Sequence, residues 1–134
     1  MKNMYADGQG VPKDDQRAVV LVRKAAEQGE AFAQFNLGVM YDKGQGVLKD
    51  DQQAAAWYRK AAEQGFAEAQ HSLGSMYAMG NGVPEDKQAA YFWWLLASAQ
   101  GHQLAVEDRD IAERRLSPAQ RAAAQAAARV WKPT

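Results

Sequence analysis

His71 and Ser72 stand side by side, the first arrangement to test for nucleophilic chemistry. A serine nucleophile needs a base within hydrogen-bond reach. Adjacent residues of a helix do not face each other, so this pair is badly placed to act together. The other hydroxyls outside tyrosine are Ser75, Ser98, Ser117 and Thr134. None starts a Ser-x-x-Lys motif or sits in a Gly-x-Ser-x-Gly turn. His71 and His102 each lack a second histidine four residues away, the spacing that sets two metal ligands on one helix face. His71 and Ser72 therefore read as exposed polar residues, and His102 as a surface turn residue. The carboxylates Glu107, Asp108 and Asp110 are interleaved with Arg109, Arg114 and Arg115. That mixture reads as a solvated, salt-bridged helix face rather than an acid–base pair. The chain has no cysteine, which excludes disulfides, thiolate nucleophiles and cysteine zinc sites. No catalytic residue, metal or cofactor is expected.

The glycine pairs Gly44-Gln45-Gly46 and Gly80-Asn81-Gly82 are not phosphate cradles, because a P-loop continues into Lys-Ser/Thr and follows a strand. Strands are not expected. Alanine, the best helix former, makes up 27 of 134 residues, with only four serines and one threonine. Sixteen basic and sixteen acidic residues leave a net charge of zero, so a nucleic-acid binder is not expected. No apolar run reaches the roughly 18 residues of a membrane span. Met1 to Gly10 shows no signal-peptide layout. The expectation is a soluble chain, cytoplasmic or periplasmic.

The elements that position these residues repeat. Leu37-Gly38-Val39-Met40-Tyr41 recurs as Leu73-Gly74-Ser75-Met76-Tyr77, 36 positions later. Segments 1–36 and 37–72 agree at 21 of 36 positions, and 37–72 and 73–108 at 15 of 36. Each unit predicts two helices. Ala69, Leu73 and Tyr77 share one face of a first helix over about 67–78. Gly74 lies inside it, where the second helix is expected to cross closely. Asp14, Asp50 and Asp86 are the expected N-caps of the second helices, with Gln53 completing a capping box. Ala54, Trp57, Tyr58 and Ala61 form the expected buried stripe, and Trp57, Trp93 and Trp94 read as core. Gly29, Gly65 and Gly101 stop the second helices. A lone hairpin of this size buries too little surface to fold, and stacked hairpins bury a continuous core.

The segments AFAQFNLGVMYDKGQGVLKD at 31–50, AAAWYRKAAEQGFAEAQ at 54–70 and LGSMYAMGNGVPED at 73–86 resemble the Sel1-like repeat family, a relative of the tetratricopeptide repeat. The likeness covers residues 4–106. It implies an all-α fold, an α-solenoid of antiparallel helix pairs wound as a right-handed superhelix. It also implies a scaffold for protein–protein contacts, of the kind found in bacterial members. The chain then divides into an incomplete first repeat at 1–36, repeats at 37–72 and 73–108, and a C-terminal capping region at 109–134.

Both ends depart from the pattern. Arg109 takes the slot of Leu73, so 103–115 reads as a first helix of altered register. Ser117, Pro118 and Gln120 open a last helix over about 118–131. Its expected inner face is Ala119, Ala122, Ala123, Ala126, Val130 and Trp131. Its expected outer face is Gln120, Arg121, Gln125 and Arg129. At the other end Met1 to Tyr5 aligns with Leu37 to Tyr41, so the sequence begins inside a first helix, as a piece of a longer protein would. Val19, Val20, Leu21 and Val22 cannot all face one side of a helix. Some must be covered from outside or stay exposed, and a homodimer or domain swap through this end is one expectation.

In the resembled family the first helices line the concave wall. With Leu37 and Tyr41 inward, Phe32, Phe35, Asn36, Val39 and Lys43 point outward or sideways, and one repeat later His71, Ser72, Ser75 and Met79 do. These nine are the candidate groove for a peptide or helix of a protein partner. The function expected is a non-catalytic interaction scaffold. The alternatives are an enzyme-associated, peptidoglycan-related module of the cell envelope and a self-assembly unit.

Overall fold

A computed structural model describes residues 13–134. The expectations for Met1 to Val11 lie outside them. The described residues form α1 (Lys13–Glu27), α2 (Ala31–Lys43), α3 (Asp51–Glu63), α4 (Ala67–Met79), α5 (Lys87–Ala99), α6 (Gln103–Arg115) and α7 (Pro118–Val130). Helices α2 and α3 form one antiparallel pair and α4 and α5 the next, stacked as an α-solenoid. The expected repeat boundaries at 37, 73 and 109 therefore fall inside α2, α4 and α6.

Capping residues set the ends. Asp50 and Asp86 accept from the backbone N–H of Gln53 and Ala89 at 3.1 and 2.9 Å. Two expectations need correction. Asp14 lies within α1, in its first turn with Asp15, and is not a cap. Gln53 completes no capping box, because the Asp50 N–H already donates to the Tyr41 carbonyl at 3.0 Å. Gly65, at φ 96°, takes the left-handed turn that ends α3.

Gly74 is where the second helix comes close. A Cβ there would lie 2.6 Å from Trp94 Nε1 and 3.1 Å from the Ala90 carbonyl. Gly38 meets the Tyr58 ring in the same way. The small residue is what brings α4 against α5 and α2 against α3, so that Leu37, Leu73 and Tyr91 become fully buried. The stripe of α3 is Ala54, Ala55, Tyr58, Ala61 and Ala62. Trp57 is a correction: it is half-buried, with the Lys60 ammonium 5.7 Å over its ring. Trp93 and Trp94 are buried as expected.

Neighbouring pairs are joined by a glutamine ladder that the sequence shows only as a recurring letter. Gln64 donates to the Gly29 carbonyl at 2.9 Å and to Gln34 Oε1 at 2.8 Å. One repeat on, Gln100 donates to Gly65 O at 2.8 Å and to Gln70 Oε1 at 3.1 Å. Gln34 and Gln70, both buried, donate in turn to Ala26 O and Ala62 O. Each carbonyl lies near the end of a second helix, where backbone acceptors lack helical partners.

Helix α7 starts with the expected capping box of Ser117 and Gln120. Its faces are only partly as expected: Gln120 and Arg129 are exposed and Trp131 packs on the core, but the rest of the pattern changes. Ala119, Ala122, Ala123, Ala126 and Val130 are exposed, and Ala124 is buried. Arg121 and Gln125 turn inward with Ala128 and Trp131. The reason is the demand for donors beneath the helix. Arg121 donates to the Glu113 and Leu116 carbonyls at 2.9 and 2.7 Å, and Gln125 to the Tyr91 hydroxyl at 2.9 Å. Buried acceptors cost more unpaired than an arginine stem costs to bury.

Candidate functional site

Four of the nine candidate groove residues meet in one place. His71, Ser72, Ser75 and Met79, all on α4, line a cavity of about 230 Å³ with Asp42, Met76 and Asn81. Asp42 comes from α2, so the cavity lies between successive first helices. Ser75 Oγ donates to the His71 carbonyl at 3.1 Å, one turn back on α4. Tyr58 reaches in from α3 and donates to Asp42 Oδ2 at 3.2 Å. Burial, and then the Asp42 carboxylate, push the Tyr58 phenol above its ordinary value, so it stays a neutral donor.

The α2 candidates do not join this cavity. Phe35 is half-buried, its ring centroid 5.7 Å from Tyr58 and 5.4 Å from Phe66. It fills the seam between repeats, and Val39 packs against the same core. Phe32 is exposed and lies 6.0 Å from Phe66. Asn36 is half-buried and Lys43 exposed.

The histidines are not isolated. Phe35 and Phe66 pack across one repeat seam, and His71 and His102 hold the same two slots at the next. Their rings stack at 4.7 Å, with 22° between planes. His71 Nε2 lies 2.8 Å from Asp108 Oδ2, and its backbone carbonyl accepts from Trp94 Nε1 at 3.2 Å. His102 caps α6 by accepting from the Ala105 N–H at 3.2 Å. Burial, followed by the neighbouring His71, lowers its pKa. The expected solvated face on α6 is thus only partly formed: Arg109 pairs with Asp110, while Asp108 turns to His71. The signal in the sequence was the offset, since positions 71 and 102 sit where 35 and 66 sit one repeat earlier.

Among the described residues no three carboxylates or histidines converge as metal ligands would. No described helix is long and apolar enough to cross a membrane.

A Sel1 repeat family model matches residues 3–30, 31–66 and 67–102. The last two matches each span one whole helix pair. No curated protein matches the chain. Among solved structures, it is similar to a protective antigen of uropathogenic Escherichia coli that displays an SLR fold. That match has a TM-score of 0.86 and 42% identity, over 92% of this chain and 27% of the antigen. It is also similar to a Sel1 repeat protein from Oxalobacter formigenes, with a TM-score of 0.72 and 41% identity, over 80% of this chain and 44% of that one. The chain thus spans less than half the length of either. Sel1 repeat proteins are generally scaffolds for protein interaction. With three consecutive matches and helix pairs of 36-residue period, the chain belongs to the Sel1 repeat family.

Proposed function

We propose that this chain is a non-catalytic scaffold that holds a peptide or helix of a protein partner along the wall made by α2, α4 and α6. The observation that carries the reading is the cavity at His71, Ser72, Ser75 and Met79, where polar and apolar groups lie open between two first helices. Such a mixture suits a peptide, with apolar side chains for area and polar groups for register. The commitment of the Ser75 hydroxyl supports a non-catalytic role. Ser75 donates to a backbone carbonyl rather than to an imidazole.

The test compares the native chain with a Ser75→Arg, Met79→Glu variant as baits in lysate of the source cells, with light scattering on both. Both positions are solvent-accessible, so the fold should tolerate the changes. The expected result is a partner retained by the native chain and lost with the variant at equal thermal stability. A partner retained equally by both overturns the groove.

A second reading, self-association through α1, rests on Val20 and Leu21. Of the four apolar residues, Val19 is buried and Val22 half-buried, while Val20 is 64% and Leu21 69% exposed. Burying two such side chains would contribute roughly 3–6 kcal/mol. A dimer in the scattering experiment, abolished by Leu21→Asp, supports it. A monomer at high concentration removes it.

A further inference from the structure

One repeat beyond the cavity on α4, the corresponding wall of α6 opens a second and tighter one, of about 90 Å³. Its lining includes Ala78, Trp94, Ile111, Ala112, Arg115 and Leu116. The sequence explains why it opens here. Counting by 36, Met40 and Met76 are followed by Ala112, so the slot that held a methionine on α2 and α4 holds a methyl group on α6. The loop that follows α4, Gly80 to Asp86, also has no counterpart, because only Leu116 and Ser117 separate α6 from α7. On α4 the methionine of this slot, Met76, lines the wider cavity; on α6 the Ala112 methyl leaves a tighter one against Trp94, Ile111 and Leu116. An apolar cavity of about 150 Å³ holds one benzene, so this one has room for a single aliphatic side chain.

The lining carries charge of both signs, Lys87 and Arg115 against Asp108. Asp108 lies at the edge and is occupied by His71, at 2.8 Å. Lys87 pairs with Glu85 in the open, where such a pair is readily exchanged. Arg115, at the end of α6 beside Arg114, makes no ion pair among the described residues. Two positive groups against one carboxylate leave the lining net positive, which complements carboxylates.

We propose that this pocket is an anchor site for one aliphatic side chain of a partner peptide, leucine or methionine in size, flanked by acidic residues. It rests on the peptide-groove reading above. The two cavities lie on either side of the His71–Asp108 contact, so a peptide along the wall would pass both. The pocket supplies the apolar anchor, and Arg115 with Lys87 receives the flanking carboxylates.

The test uses three amidated pentapeptides: a central leucine among four glutamates, a central alanine among four glutamates, and a central leucine among four lysines. The readout is the NMR signal of the Trp94 indole N–H, whose nitrogen lies 3.2 Å from the His71 carbonyl and whose ring lines the pocket. Affinity in the millimolar range is expected for probes of this size. The acidic leucine peptide shifts the Trp94 signal saturably, and the alanine and lysine peptides bind at least about tenfold more weakly. Ala112→Met restores the side chain found on α2 and α4, fills the pocket, and abolishes the shift with no loss of thermal stability. Arg115→Glu reverses the preference between the acidic and basic leucine peptides.

Equal responses to leucine and alanine overturn the anchor, as does an unchanged response in Ala112→Met or no response of Trp94. The groove reading fails separately. Shifts at His71 and Ser75 without Trp94 refute the anchor and leave the groove standing. Loss of the lysate partner in Ser75→Arg, Met79→Glu but not in Ala112→Met does the same.

Discussion

Gly74 carries two opposing effects that magnitudes can separate. Replacing a mid-helix glycine with alanine gains up to about 1 kcal/mol of helix propensity. The new Cβ would sit 2.6 Å from Trp94 Nε1 and 2.7 Å from its Cδ1, with the Ala90 carbonyl 3.1 Å away. Trp94 is buried and cannot swing clear, so the cost is that of overpacking, roughly 1–3 kcal/mol. Gly74→Ala is therefore expected to lower the urea midpoint, by a net amount of order 1 kcal/mol. A midpoint at or above the native one would mean that α4 and α5 separate without cost.

At the scale of the element, α7 shows that polarity does not by itself point outward. Helices α2 and α4 end on Gly44 and Gly80 in the left-handed conformation, which returns a backbone N–H to the helix. Helix α6 ends on Leu116, extended, whose N–H also returns to Ala112 O, but it has no long loop to serve Glu113 O as the Asp50 and Asp86 N–H serve Tyr41 O and Tyr77 O. The Arg121 guanidinium supplies the missing donors to Glu113 O and Leu116 O. An exposed arginine on an outer face would cost under about 0.5 kcal/mol to truncate. Two hydrogen bonds from a charged group to otherwise unpaired carbonyls make Arg121→Ala cost about 1.5–3 kcal/mol instead. Thermal melts of the variant separate the two, and an unchanged midpoint would return Arg121 to the outer face.

The whole molecule is a row of pairs, each stable because the next covers it, so seams between repeats couple them. The seam at His71 and His102 adds a pH dependence that the Phe35–Phe66 seam lacks. The groups facing His102 are His71 and Glu68 on α4 and Asp108 on α6. Burial and His71 depress its pKa, outweighing the two carboxylates. The unfolded chain then binds this proton more readily than the folded one. The stability contributed is present above the ordinary value of 6.5 and is lost as pH falls through the lowered folded value. The native melting temperature is expected to fall in that window. His102→Asn, which keeps an N-cap acceptor, should flatten the fall. Equal slopes in both proteins would remove His102 as the cause.

The repeat, its helix pairs and most of their ends were legible in residue spacing alone. Period, caps and turn glycines are local or register properties, written in spacings such as Leu37 to Leu73 and Asp50 to Asp86. Spacing also carried half of the candidate site: the 100° step along α4 placed His71, Ser72, Ser75 and Met79 on one wall without reference to any other helix. What depends on a neighbouring helix came from packing. Phe35 left the groove because Tyr58 and Phe66 cover it, and His71 met His102 because the seam repeats. Arg121 turned inward because the end of α6 lacked donors. The pocket beside Trp94 is walled by Ala78 of α4 and by Ala112 and Leu116 from α6 and its end. A helix fixes the direction of each side chain, and only packing fixes what waits there.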